Sequence, residues 1–160
     1  MRRLKVIACL SIAMLLMAMA SSDQNTEYAW EEPSVDAIGM APRQVATGES
    51  AIHVDIQFPR GYEMNHQAPS VVRVKDTQGL VTFDQQTTFG QSVERFPATI
   101  HASAKAGETT LKVHVDLYYC ASREKSLCYL QTLLFYIPLQ ITEHTSNQTI
   151  EISHKVKIEI

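Results

Sequence analysis

Cysteine is scarce in this sequence: the 160-residue chain has three, at positions 9, 120 and 128. No second Cys or His pair lies near Cys120 and Cys128, so the usual zinc patterns fail. A copper site of the cupredoxin kind fails as well, because the first histidine after Cys120 is His144 and no methionine follows Met64. Basic residues are outnumbered, 14 Lys and Arg against 17 Asp and Glu, and they form no clustered face of the kind that grips a nucleic-acid backbone. There is no Gly-x-Ser-x-Gly, no phosphate-cradling glycine loop and no His-Glu-x-x-His, which removes the common hydrolase, nucleotide and metalloprotease signatures. Nothing in the sequence implies a cofactor. Beyond the first 20 residues there is no helical stripe, internal repeat or low-complexity tract.

The one long apolar run is at the N-terminus. Arg2, Arg3 and Lys5 precede Val6 to Ala20, and Ala18-Met19-Ala20 offers a small-x-small cleavage site. This arrangement predicts a secretory signal peptide over residues 1–20. Its apolar run of about 15 residues is short of the roughly 20 that span a bilayer. A lipoprotein signal around Cys9 is the competing reading, with only three apolar residues ahead of the cysteine. Cleavage after Ala20 leaves 11 basic and 17 acidic side chains, a formal net charge of −6. It also leaves Cys120 and Cys128 as the only thiols, in a periplasmic or otherwise extracytoplasmic compartment where disulfides persist.

Residues 21–46 carry Pro33, Gly39 and Pro42, several acids and no sustained periodicity, and read as a linker or N-terminal arm in which Tyr28 and Trp30 could tuck against the domain. From residue 47 onward the period is two. Ile52, Val54, Ile56 and Phe58 alternate with His53, Asp55 and Gln57, and Leu111 to Tyr119 alternate with Lys112 to Cys120. Leu133 to Ile141 repeats the pattern, as do Ile150 and Ile152, with Val156, Ile158 and Ile160 closing the chain. Shorter strand candidates are Val71 to Lys75, Leu80 to Phe83 and Pro97 to Ser103. Such alternation is the mark of half-buried strands. Separated by turns such as Asp76-Thr77-Gln78-Gly79, the strands predict an all-β domain over 47–160, an immunoglobulin-like antiparallel β-sandwich, with a barrel as the alternative that the pattern leaves open.

The two cysteines sit at the lips of a polar loop between the two strongest alternating runs. If those runs form a hairpin, the cysteines face each other at its mouth, with Cβ atoms about 4.5 Å apart if the pair is not hydrogen-bonded. A bridge there closes a loop of about nine residues and adds roughly 2.5 kcal/mol on the chain-entropy model. Three uses stay open. One is a structural staple; another is redox exchange, which Arg123 and Lys125 would favour by stabilising a thiolate and Glu124 would oppose. The third is a metal site drawing on His114, Asp116, Tyr118 and Cys120 along one strand face, or on His53 and Asp55. Asn147-Gln148-Thr149 matches a glycosylation acceptor and also suits the turn before the last strand.

Tyr118-Tyr119-Cys120 and Leu127-Cys128-Tyr129, following Leu111-Lys112-Val113-His114-Val115, resemble the N-terminal periplasmic domain of the thiol:disulfide interchange protein DsbD. Upstream, Phe58-Pro59-Arg60-Gly61-Tyr62-Glu63-Met64-Asn65 and Ala68-Pro69-Ser70 resemble related domains attached to some NHL-repeat, thioredoxin-like proteins. The resemblance implies an immunoglobulin-like domain whose Cys120 and Cys128 cycle between dithiol and disulfide. Electrons would come from a thioredoxin-like partner and pass to an oxidised periplasmic protein, with Cys128 as the partner-facing thiol. The sequence departs from that family where Leu130 and Gln131 follow Tyr129 in place of two prolines. It also has seven residues between the cysteines, a slightly longer loop, and no stretch matching the family's acidic and aromatic cap. A non-catalytic binding or accessory domain with a structural bridge is the alternative from a different class.

Overall fold

A computed structural model describes residues 35–84, 90–123 and 127–157. The predicted leader, Tyr28 and Trp30, Glu124 and Lys125 of the loop, and Ile158 and Ile160 lie outside the described residues. The described chain is all β, with eleven strands and no helix.

The strands are β1 (Ala37–Gly39), β2 (Arg43–Ala46), β3 (Gly48–Gln57), β4 (Tyr62–Met64), β5 (Ser70–Asp76), β6 (Val81–Phe83), β7 (Gln91–Val93), β8 (Ala98–Ala104), β9 (Gly107–Ala121), β10 (Cys128–Thr142) and β11 (Thr149–Lys155). They form two sheets. The larger runs β1-β10-β9-β5-β7, with β2 also on β10 and β4 also on β9; the smaller runs β11-β3-β8-β6.

The alternation read from the sequence is the alternation that packs the sandwich. Leu111, Val113, Val115, Leu117 and Tyr119 from β9, with Leu133, Phe135 and Ile137 from β10, are buried in one cluster with Ile52, Val54, Ile100, Ile150 and Ile152 from the other sheet. A strand sends successive side chains to opposite faces, so one face of each sheet supplies the core while the other stays outside. The layers are also linked where the Phe135 ring meets the His154 ring at 5.6 Å in a T-shaped contact.

The sheets are mixed, which the sequence pattern does not foretell. β11 runs parallel to β3, pairing Ile150 with Ile52 and Ile152 with Val54, and β1 and β2 run parallel to β10. The chain reaches this arrangement by switching sheets at Thr47 and Gly48: Thr47 N–H donates to the Thr142 carbonyl at 3.3 Å, and Gly48 has φ of 91°, a conformation that favours glycine. Residues 37–46, read from sequence as part of an arm, thus contribute two short strands along β10. Strands of three or four residues, as β1, β2, β4 and β7 are, show too few repeats for a period of two to stand out.

Phe135 is 1% exposed at the centre of this core. Truncating it, Phe135→Ala, is expected to lower unfolding free energy by about 3–5 kcal/mol in urea titrations, whereas Thr99→Ala on the outer face of β8 is expected to stay within about 0.5 kcal/mol.

Candidate functional site

Where the two longest strands meet, β9 and β10 form a hairpin in continuous antiparallel register from Gly107 opposite Ile141 to Cys120 opposite Cys128. The cysteines are disulfide-bonded across that last pair, with Cα atoms 3.9 Å apart. Odd-numbered residues of β9 point into the sandwich, so Cys120 belongs to the other, outer face together with Lys112, His114, Asp116 and Tyr118. The bridge therefore sits on the outside of the larger sheet, at the rim. Its two halves differ in access: Cys120 is buried at 8% exposure, and Cys128 is exposed.

The upstream stretch Phe58 to Asn65 is brought to the same place. Gly61, with φ of 89°, turns the chain after Pro59-Arg60, and β4 then lies against β9 with Glu63 opposite Cys120. Ser122 N–H donates to the Gly61 carbonyl at 2.8 Å, and Ala121 N–H donates to the Leu127 carbonyl at 2.9 Å, so both mouths of the hairpin loop are held by backbone bonds. Glu63 is exposed and shares the outer face with the bridge. Neither its placement nor that of Tyr62 was legible from spacing, because β4 is out of sequence order beside β9; the Gly61-Tyr62 turn was the only available signal.

Immediately beneath the disulfide, on the inner face, the aromatic rings gather. Tyr119 stacks on Tyr129 at 5.4 Å, Tyr62 meets both edge-on at 6.0 and 5.8 Å, and Phe58 lies 5.3 Å from Tyr119 and 6.4 Å from Phe96. Contacts of this kind each add about 0.5–1.5 kcal/mol beyond burial, and together they make a rigid floor under the hairpin end. Burial, with the Tyr129 and Tyr62 phenols nearby, holds the Tyr119 hydroxyl above its ordinary pKa, and that hydroxyl donates to Gln131 Oε1 at 3.1 Å. A hydrogen bond with Tyr62, followed by burial, raises that of Tyr129.

The candidate metal ligands His114, Asp116, His53 and Asp55 bond to one another or to neighbouring side chains. Asp116 accepts from Arg73 Nη1 at 2.7 Å and from Thr132 Oγ1 at 2.8 Å, and lies 3.0 Å from His114 Nε2. These bonds clamp β5, β9 and β10 together on the outer face. Asp55 accepts from Gln57, while His53 meets Glu151 at 3.1 Å. Among the described residues no group of three or more His, Cys, Asp or Glu side chains is placed to hold a metal ion. Asn147 shapes the turn before β11, its Oδ1 accepting from Thr149 N–H at 3.1 Å and its Nδ2 donating to the Gln44 carbonyl at 3.0 Å.

A second feature adjoins the bridge. A groove of about 490 Å³ opens between the sheets at the β10 edge, lined by Ile38, Tyr119, Tyr129, Leu130, Gln131, Leu133, His154 and Lys157. Burial, and then the charge of Lys157, lowers the pKa of His154. No protein-family model and no curated protein matches the chain.

The Asp116 clamp has a pH signature. Burial tends to raise the Asp116 pKa, but the Arg73 and Thr132 hydrogen bonds and the nearby His114 and Arg73 charges outweigh it, and the net shift is downward. A carboxyl with a lowered folded-state pKa stabilises the fold above its unfolded value, about 3.9, and that contribution is lost as pH falls through the folded value. His154, also lowered, acts in the same direction from about pH 6.5 downward. Asp116→Ala is expected to cost about 1.5–3 kcal/mol at pH 7, with a difference from the parent protein that shrinks as pH falls below the unfolded value, as read from urea midpoints across pH.

Proposed function

We propose that the chain is an exported thiol–disulfide exchange domain, working in the periplasm or another oxidising compartment through Cys120 and Cys128. The observation that carries this reading is the asymmetry of the bridge: one exposed sulfur-bearing residue at the rim, bonded to a buried one. Exchange needs an accessible sulfur for a partner to reach and a second, sheltered thiol to resolve the intermediate.

In the reducing half, a thiolate of a thioredoxin-like partner attacks the Cys128 sulfur, the Cys120–Cys128 bond breaks, and Cys120 leaves as a thiolate that takes up a proton. The partner's second thiolate then attacks its own sulfur in the mixed disulfide, releasing Cys128; two electrons have moved to the domain and the partner is oxidised. In the second half, the Cys128 thiolate attacks a client disulfide and one client sulfur leaves as a thiolate. Cys120 then attacks Cys128, restoring the bridge and releasing the reduced client.

The resemblance of the Tyr118–Tyr129 hairpin to the DsbD N-terminal domain supports the same roles, and the meeting of the Phe58–Asn65 stretch with that hairpin adds to it. A staple has less to do here. β9 and β10 are already paired from Gly107 to Cys120 and anchored by buried side chains, and a loop of eight-residue separation gives only about 2.5 kcal/mol of entropic stabilisation.

The reduction potential of the pair, equilibrated against glutathione, is expected to lie above about −300 mV; a value at or below that marks a resistant structural bridge and removes the exchange reading in favour of a binding or accessory domain. In the native host, Cys120→Ala is expected to accumulate mixed disulfides through Cys128, and Cys128→Ala to accumulate far fewer. Equal, negligible trapping by both variants would count against a partner-handling role.

A further inference from the structure

β10 is an inner strand for most of its length but not at its first turn of residues. β1 covers it from Leu134 to Tyr136 and β2 from Leu139 to Thr142; before Leu134, no strand among the described residues lies on the side away from β9. The direction of the backbone groups follows from one bond. Met40 N–H donates to the Tyr136 carbonyl at 2.9 Å, so Tyr136 presents its backbone polar groups to the edge. N–H and C=O of one strand residue point the same way and alternate along the chain, so Thr132 and Leu130 present theirs to that edge too.

The exposed apolar surface is concentrated in the same place. The large hydrophobic residues exposed among those described are Leu130 at 62%, Leu127 at 45% and Val35 at 38%. Leu127 and Leu130 flank Cys128, and Val35 lies just before β1, which pairs beside Leu134. An uncovered strand edge with apolar side chains is a liability that proteins usually blunt with charge, proline or a bulge. Here it runs directly into the disulfide, and the inter-sheet groove with Lys157 opens beneath it.

We propose that a client polypeptide docks as an added strand on the Cys128–Leu133 edge of β10, its main chain pairing with Leu130 and Thr132, its sulfur beside Cys128, and an acidic side chain reaching the groove toward Lys157. The identity of the occupant rests on the exchange reading above; the docking mode rests on the edge itself. Strand addition draws affinity from the main chain and specificity from alternate side chains. Alternation sets the pattern. Positions opposite Cys128 and Leu130 share the outer face, about 6.6 Å apart along the strand, and the residue between them faces the groove. The fitting segment therefore has cysteine and an apolar residue two positions apart with an acidic residue between.

The probe is a blocked synthetic peptide of alternating valine and threonine, with serine in the cysteine position followed by glutamate and leucine, so that docking is read without any exchange chemistry. In NMR titration and hydrogen exchange on the oxidised full chain, the peptide is expected to slow exchange of the Leu130 and Thr132 amides. N-methylation of the peptide amides that face β10 is expected to weaken binding about tenfold or more, the size of one or two lost hydrogen bonds. Leu130→Pro, which removes an edge donor without touching the β9 ladder, should do likewise, while Leu130→Ala should weaken it less. Glutamate-to-lysine replacement in the peptide should also weaken it. Strand docking is overturned if the N-methylated peptide binds as well as the parent. It is equally overturned if the Leu130 and Thr132 amides of the free protein are already protected, the edge then being covered by another part of the chain or by a second copy. Peptide binding together with a potential at or below about −300 mV upholds the docking surface and removes only the exchange chemistry.

Discussion

The register of β9 against β10 is the constraint from which the rest of the structure follows. Because side chains alternate with a period of two, a shift of one residue would turn every buried side chain of one strand outward. The buried row from Leu111 to Tyr119 and the row from Leu133 to Ile141 are long enough to forbid that shift, since each carries several side chains at or near zero exposure. The same register that places Phe135 in the core places Cys128 opposite Cys120. The core, in other words, aims the sulfurs, and the bridge forms where packing has already put them.

That arrangement separates stability from chemistry. The inner face holds aliphatic packing and, at its end, the ring cluster of Phe58, Tyr62, Tyr119 and Tyr129, which stiffens the hairpin from below. The outer face holds charged and polar contacts, with Asp116 tied to Arg73, Thr132 and His114, and Lys112 over the Tyr136 ring at 5.1 Å. The bridge lies at the far end of that outer row, away from the core. The residues that hold the two sheets together are elsewhere, in the buried cluster.

Access to the bridge is decided by the neighbours of the hairpin. On the β9 side, β4 covers Cys120 with Glu63 opposite it. On the β10 side, the pairing with β1 begins at Leu134, and among the described residues no strand lies beside Leu130 to Leu133 away from β9. One sulfur is thus sheltered and the other presented by strands far apart in the chain.

The sequence by itself determined the all-β character, the long strands and the identity of the core face, because a period of two repeated over nine or more residues has one physical meaning. It also made the cysteine pair legible, since two thiols at the lips of a loop between such strands have each other as nearest partners. It carried no sign of the parallel placement of β1, β2 and β11 or of the edge that the described strands leave beside Leu130 and Thr132, and only the Gly61-Tyr62 turn hinted at the return of Tyr62 and Glu63 beside Cys120. Those features depend on which strands become neighbours, and that choice belongs to the packing of distant segments over a shared core, where no local spacing records it.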